Sequence, residues 1–322
     1  MKRFNFKLKQ LLIILTVVAF WTALIAIYAT NYHLYTDYLW MLRLGEYRTP
    51  EQKQWQEQIV DEYQNDTLNH EKKVILISLC GVVWDKFYQD TLNDEYQQKI
   101  ISQEIYSLRY EIPSYESIFG NRHILTGYKE KSFENIFNLV EHSKSELKTS
   151  ALFYWENFAT KVLHYDTKIS NLKNYYADKT LKSEYLSANL NQALKFLDIQ
   201  NADFAEQYTN PNINFSFWFD FLADNAGHYR YSLNSNFVTT IYEAYFETFD
   251  DLFTKYANDP DTLVIYVADH GRDADGLQHN VWDRSSYHSF MISNHNLNQI
   301  IDRVVVNFLD IKEIAYKFLK AS

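Results

Sequence analysis

Three short apolar runs stand out along the chain because they do not alternate with polar residues. They cover residues 74–79, 215–219 and 262–267. Strands buried on both faces read this way, as in the centre of a parallel sheet. Elsewhere the period is helical, over residues 94–109, 118–125, 234–256 and 310–319, with Thr126-Gly127 as a stop after the second. Residues 132–207 read as mostly helical, with a strand-like run at 151–154 and an amphipathic stretch at 179–197. Residues 289–293 and 303–308 have the composition of further strands. Strands alternating with helices predict an α/β fold, a mostly parallel central sheet flanked by helices, with residues 132–207 as a helical insertion. Ligands in such folds sit at the carboxyl ends of strands. Cys80, Asp224 and Asp269 all fall there.

The longest apolar run lies at the N-terminus. Residues 11–29 carry no charge and are long enough to cross a bilayer as a helix. Lys2, Arg3, Lys7 and Lys9 precede them, which orients the N-terminus to the cytoplasm. The expected organisation is a basic cytoplasmic tail (1–10), a single transmembrane signal anchor (11–30), a helical membrane-proximal stalk (31–71) and an extracytoplasmic domain (72–322). A cleavable signal peptide is the rival, but Ile27-Tyr28-Ala29-Thr30-Asn31 matches a cleavage site poorly. A short basic tail and one anchor make a bacterial inner membrane, with the domain in the periplasm, the default location.

Composition narrows the partners. The formal net charge of −10 argues against nucleic acid. It leaves anionic substrates open, because bound cations reverse the local field. Only 7 Gly and 4 Pro occur in 322 residues, so long regular elements are expected. Cys80 is the sole cysteine and has no partner for an intrachain disulfide.

Candidate chemistry concentrates in residues 215–279. Asp224-Asn225-Ala226-Gly227-His228 follows one apolar run, Asp269-His270-Gly271 follows another, and His279 comes soon after. Asp and His at strand ends suit metal ligation, since both offer a lone pair near neutral pH. The plainer alternatives are a capping pair for Asp224 and His228 and a strand-ending turn for Asp269-His270-Gly271. His288 competes with His279, and Ser117 has the position and chemistry of a helix N-cap.

These motifs, in this order, resemble the alkaline phosphatase superfamily, especially its phosphodiesterase/nucleotide pyrophosphatase and sulfatase-like branches. The resemblance runs over residues 72–319 and rests on Leu79-Cys80-Gly81, Ser117 nine residues before Thr126-Gly127, the Asp224 to His228 motif, Asp269-His270-Gly271 and His279. Asp310-Ile311 with Ile314-Ala315 looks like the family's last helix. The resemblance implies two divalent metal ions. Asp224, His228 and His279 would hold one, and Asp269, His270 and the residue at 80 the other. Ser117 would be the nucleophile, passing through a phospho-serine. The implied activity is that of a metal-dependent phosphoester hydrolase or phosphotransferase acting on a glycan, lipid or nucleotide phosphate ester. Multi-pass phosphoethanolamine transferases share the fold, but only one spanning segment is expected here.

The chain departs from the family at Cys80, where the family has an aspartate. A thiolate suits zinc and serves magnesium, calcium or manganese poorly. Three readings stay open: Cys80 as a zinc ligand, a weakened or one-metal enzyme, or a non-catalytic envelope binding protein on the same fold. A sulfatase fits less well. Its modified residue precedes x-Pro-x-Arg, and neither Cys80-Gly81-Val82-Val83-Trp84 nor Ser117-Ile118-Phe119-Gly120-Asn121-Arg122 has that pattern.

Overall fold

The computed structural model describes residues 16–23, 50–112, 116–128, 131–132, 134–155, 158–175, 189–279 and 283–321. The chain divides into two compact units, Met1–Arg43 and Leu44–Ser322. In the first, residues 16–23 are helical, and the Thr22 hydroxyl donates to Val18 O at 2.8 Å. The rest of the expected span, 11–15 and 24–30, lies outside the described residues. Among those described, no helix is long and apolar enough to cross a membrane.

Seven strands of the second unit form one sheet: β1 (Lys73–Leu79), β2 (Tyr106–Glu111), β3 (Thr149–Phe153), β4 (Asn171–Asn174), β5 (Phe215–Asp220), β6 (Thr262–Ala268) and β7 (His288–Ser293). Their order is β2-β7-β6-β1-β5-β3-β4. The three apolar runs become the adjacent strands β6, β1 and β5, all parallel, with Leu79 opposite Asp220 on one side and Ala268 on the other. Both faces of these strands are covered, so they carry no polar alternation. β3 continues the parallel part beside β5 and pairs with β4. β7 runs antiparallel to both β6 and β2. The sheet is therefore mixed, parallel through its centre and antiparallel at one end.

The α-helices of five residues or more among the described residues of this unit are α1 (Pro50–Glu62), α2 (Asp94–Ile101), α3 (Ser117–Thr126), α4 (Ile136–Glu141), α5 (Leu190–Thr209), α6 (Leu222–His228), α7 (Asn236–Tyr256), α8 (Leu297–Ile301) and α9 (Ile311–Lys320). On one face α5 and α7 pack on β5 and β6, and Ile75, Ile77, Trp218 and Tyr266 join one buried cluster there. The indole N–H of Trp218 donates to Gln200 Oε1 of α5 at 2.8 Å, so burying this ring leaves no polar atom unpaired. Val74, Leu76 and Ser78 alternate to the other face. There α9 lies against β1 and contacts α3 and α4.

Four expectations are corrected. Residues 94–109 are not one helix: α2 stops at Ile101, Gln103 takes a left-handed φ of 63°, and β2 begins at Tyr106. No Gly or Pro marks that turn, so the sequence pattern runs through it. Residues 132–207 are not a helical insertion, since β3 and β4 are strands of the central sheet. Residues 303–308 form no strand; Val304 and Val305 are 95% and 74% exposed, and their β-branched composition meets no neighbouring strand. Finally, residues 50–71 are no free-standing stalk. On α1, Gln52 donates to Asp310 Oδ1 at 2.6 Å, Trp55 meets Tyr316 edge-on, and Ile59 is buried, as are Tyr63 and Leu68 beyond it. The buried face of α1 includes Gln52 and Gln56, which an apolar stripe does not reveal. The stalk's earlier part, 31–49, lies outside the described residues.

Candidate active site

The three central strands end side by side, and each end delivers one functional segment. β1 leads to Cys80, whose N–H donates to Asp220 O at 2.8 Å. β6 leads to Asp269, whose N–H donates to Leu79 O at 3.1 Å. β5 turns into α6, a short helix that sets Asp224 and His228 one turn apart. Ser117 opens α3, and the N-cap position belongs to Glu116. α3 passes so close to the end of β6 that a Cβ on Gly120 would lie 2.4 Å from Asp269 O. Only glycine allows that approach, which brings the start of α3 to the strand ends.

Two groups of metal-capable side chains result, one of Cys80, Asp269 and His270 and one of Asp224, His228 and His279. In the first, Cys80 Sγ lies 3.5 Å from His270 Nε2, and Asp269 Oδ1 lies 3.6 Å from the same nitrogen. Ser117 Oγ is 3.1 Å from Cys80 Sγ and 3.0 Å from His270 Nε2. A tetrahedral zinc ion, with bonds of about 2.0–2.3 Å, spaces its donors about 3.3–3.6 Å apart. The donor set and its spacing fit such an ion.

Charge points the same way. Burial, with Asp224 and Asp269 nearby, pushes the Cys80 thiol well up. Burial and then Asp224 push the Asp269 carboxyl well above the carboxylate range. Burial and then His279 bring His270 down to about 3. A bound cation would favour the thiolate of Cys80 and the carboxylate of Asp269 and would take His270 as the neutral imidazole it already is. His270 Nδ1 lies 2.7 Å from Gly271 O and donates to it, leaving Nε2 as a lone-pair donor toward the cluster.

In the second group, His228 Nε2 is 3.0 Å from Asp224 Oδ2 and 3.2 Å from His279 Nε2. Burial raises the Asp224 carboxyl, but the His228 hydrogen bond and the Arg272 guanidinium outweigh it and hold the group below its usual range. His279, not His288, joins this group; His288 Nδ1 lies 3.4 Å from Arg109 Nη2. Asp85 pairs with Arg109 at 2.7 Å on the surface. Cys80, Ser117 and all three residues of the second group border a pocket of about 530 Å³ that is also lined by Ile118, Trp155, Phe219 and Phe221.

Two residues of the site escaped the sequence reading. Asn121 Nδ2 donates to Asp269 Oδ2 at 2.8 Å and to Ser117 O at 2.9 Å, while Ser78 Oγ donates to Asn121 Oδ1 at 2.8 Å. Its signal was its place one turn after Ser117. Arg272, directly after Asp269-His270-Gly271, is 1% exposed and pairs with Asp224. Arg122 donates to Lys161 O at 2.8 Å and 2.6 Å, and His123 is buried beside Phe308.

No family model matches the sequence, and no curated protein does. Among solved structures, the chain is similar to the alkaline phosphatase of the Antarctic bacterium TAB5, with 14% identity, 79% of this chain and 99% of that one covered, and a TM-score of 0.49. It is similar to a lipoteichoic acid synthase from Listeria monocytogenes at 9% identity, with 82% and 78% covered and a TM-score of 0.46. A Vibrio parahaemolyticus protein of the alkaline phosphatase superfamily matches at 15% identity, with 78% and 68% covered and a TM-score of 0.44. These likenesses, to an alkaline phosphatase, a lipoteichoic acid synthase and a protein of the alkaline phosphatase superfamily, are likenesses of fold.

Proposed function

We propose that this chain is a metal-dependent phosphoester hydrolase or phosphotransferase in which Ser117 is the nucleophile. The observation that carries the reading is the position of the Ser117 hydroxyl, 3.1 Å from Cys80 Sγ, 3.0 Å from His270 Nε2 and bordering the pocket. Cys80, Asp269 and His270 are the residues that would hold a divalent ion, with zinc favoured by the thiol. Such an ion, when bound, supplies a Lewis acid that lowers the pKa of the hydroxyl and holds phosphoryl oxygens. The resemblance also implies a second ion, at Asp224, His228 and His279.

Ser117 Oγ forms a bond to phosphorus as the bond from phosphorus to the leaving alcohol breaks. The serine proton passes to solvent, and the departing alkoxide takes one up. Water, or an acceptor alcohol, then attacks the phospho-serine and restores the hydroxyl. Asn121 holds both the start of α3 and the Asp269 carboxyl, so nucleophile and ligand keep one geometry through both steps. The aromatic walls suit the organic part of the ester, and the proposed substrate is a phosphate ester of a glycan, lipid or nucleotide. Residues 11–30 are the proposed anchor, with the domain outside the cytoplasm; extraction at alkaline pH, which strips peripheral proteins, should leave the chain in the membrane.

Ser117→Ala should lower turnover of a chromogenic phosphodiester by about a thousandfold or more, with an unchanged melting temperature. Mass spectrometry of the wild type, quenched during turnover, should find the phosphoryl group on Ser117. Unchanged activity in the variant ends the nucleophile assignment.

A further inference from the structure

Arg272 makes an unusual set of contacts for a residue beside a metal-capable group. Its Nε donates to Gly276 O at 2.8 Å, its Nη2 to Leu277 O at 2.8 Å, and its Nη1 to Asp224 O at 2.9 Å. The same Nη1 reaches Asp224 Oδ1. Three backbone carbonyls thus lock the guanidinium, and its remaining bond goes to the only anion of the second group. The Asp224-x-x-Gly227-His228 motif is shaped to this side chain. A Cβ on Gly227 would lie 2.2–2.5 Å from three guanidinium atoms, so only glycine lets Arg272 through to Asp224.

We propose that Arg272 is the built-in cation of the second group, so that the chain holds one tightly bound metal ion, at Cys80, Asp269 and His270. The spacing of Asp224, His228 and His279 would admit an ion. The charge opposes it. A guanidinium stays protonated in a protein, and here it already balances the Asp224 carboxylate. A divalent ion in this group would meet two imidazoles, a carboxylate already neutralised, and a fixed positive charge beside it. The Cys80 group has the opposite balance. It joins a thiol, a carboxyl and an imidazole, and its Asp269 accepts from Asn121 and from the Gly81 N–H, both uncharged donors. Two groups of equal ligand number therefore differ in the charge that an ion would find.

This inference rests on the reading of the Cys80 group as a metal site, and the test separates the two. The full chain in detergent is loaded with excess zinc, desalted and measured by inductively coupled plasma mass spectrometry. The wild type should retain about one zinc per chain, Cys80→Ala about none, and Arg272→Gln about two, as Asp224 becomes an unbalanced carboxylate. Two zinc ions in the wild type, or one in a folded Arg272→Gln, would falsify this inference while leaving the metal-dependent reading intact. No zinc in the wild type overturns both. Should Arg272→Gln fail to fold, His228→Ala decides, since its side chain is 50% exposed. It should keep the single ion, and losing that ion would assign the site to the second group and refute the inference.

Discussion

The Asp220 carboxyl offers a quantitative test of how the strand ends are built. It closes β5, fully buried, accepting from the Tyr245 hydroxyl and, at 2.9 Å, from the Leu222 N–H. Burial is the largest influence and outweighs these donors, raising the group from 3.8 to about 6. A raised carboxyl means the folded state binds this proton more tightly than the unfolded state does. Its contribution to stability is therefore greatest below about pH 4 and declines as pH rises toward and through 6. With one pKa unit equal to about 1.4 kcal/mol, the decline amounts to about 3 kcal/mol. In Asp220→Asn the amide oxygen keeps the same two donors and has no charge to desolvate. Urea unfolding of wild type and variant, followed by tryptophan fluorescence in chelator between pH 4 and 7.5, isolates the group as a difference of differences. The variant should gain on the wild type by about 2.4 kcal/mol across that range, because at pH 4 the unfolded carboxyl is already more than half ionised. A difference that is flat with pH, or a gain at the acid end, refutes the assignment.

Other perturbations test the supporting shell and the domain boundary. Asn121→Ala removes the donor that orients Asp269 and should weaken metal binding about 10- to 100-fold, as read by competition with a chromogenic chelator. Equal affinity would mean that Asp269 is oriented without it. A chain beginning at residue 72 should melt well below one beginning at residue 44, because Ile59, Tyr63 and Leu68 are buried in the domain. Equal melting temperatures would return residues 50–71 to the role of a stalk.

Much of this arrangement was legible in the chain. The runs at 74–79, 215–219 and 262–267 became β1, β5 and β6 because strands covered on both faces have no polar side to display. The helix after Ser117 ended at Thr126 as expected, with Gly127 taking φ 71° at its C-cap. Two of the failures share a different cause. β2 carries Tyr106, Leu108 and Tyr110 on an edge of the sheet, and β4 is the polar run Asn171 to Asn174 on the other. An edge strand is defined by its neighbour, so its composition alone says little.

By itself, the sequence determined which residue types follow the central strands, Cys80, Asp224, His228, Asp269 and His270, with Ser117 heading a helix between the first two strands and His279 after the last. Short-range signals suffice for that, because strand hydrophobicity and a helix stop are local properties. Only the tertiary structure decided how the charges are shared. Arg272 and Asp224 are 48 residues apart and meet only because β5 and β6 flank β1 and Gly227 leaves room for the guanidinium. Asn121 reaches Asp269 across 148 residues for a similar reason. Electrostatic balance depends on distance and burial, and neither is defined until the strands have paired.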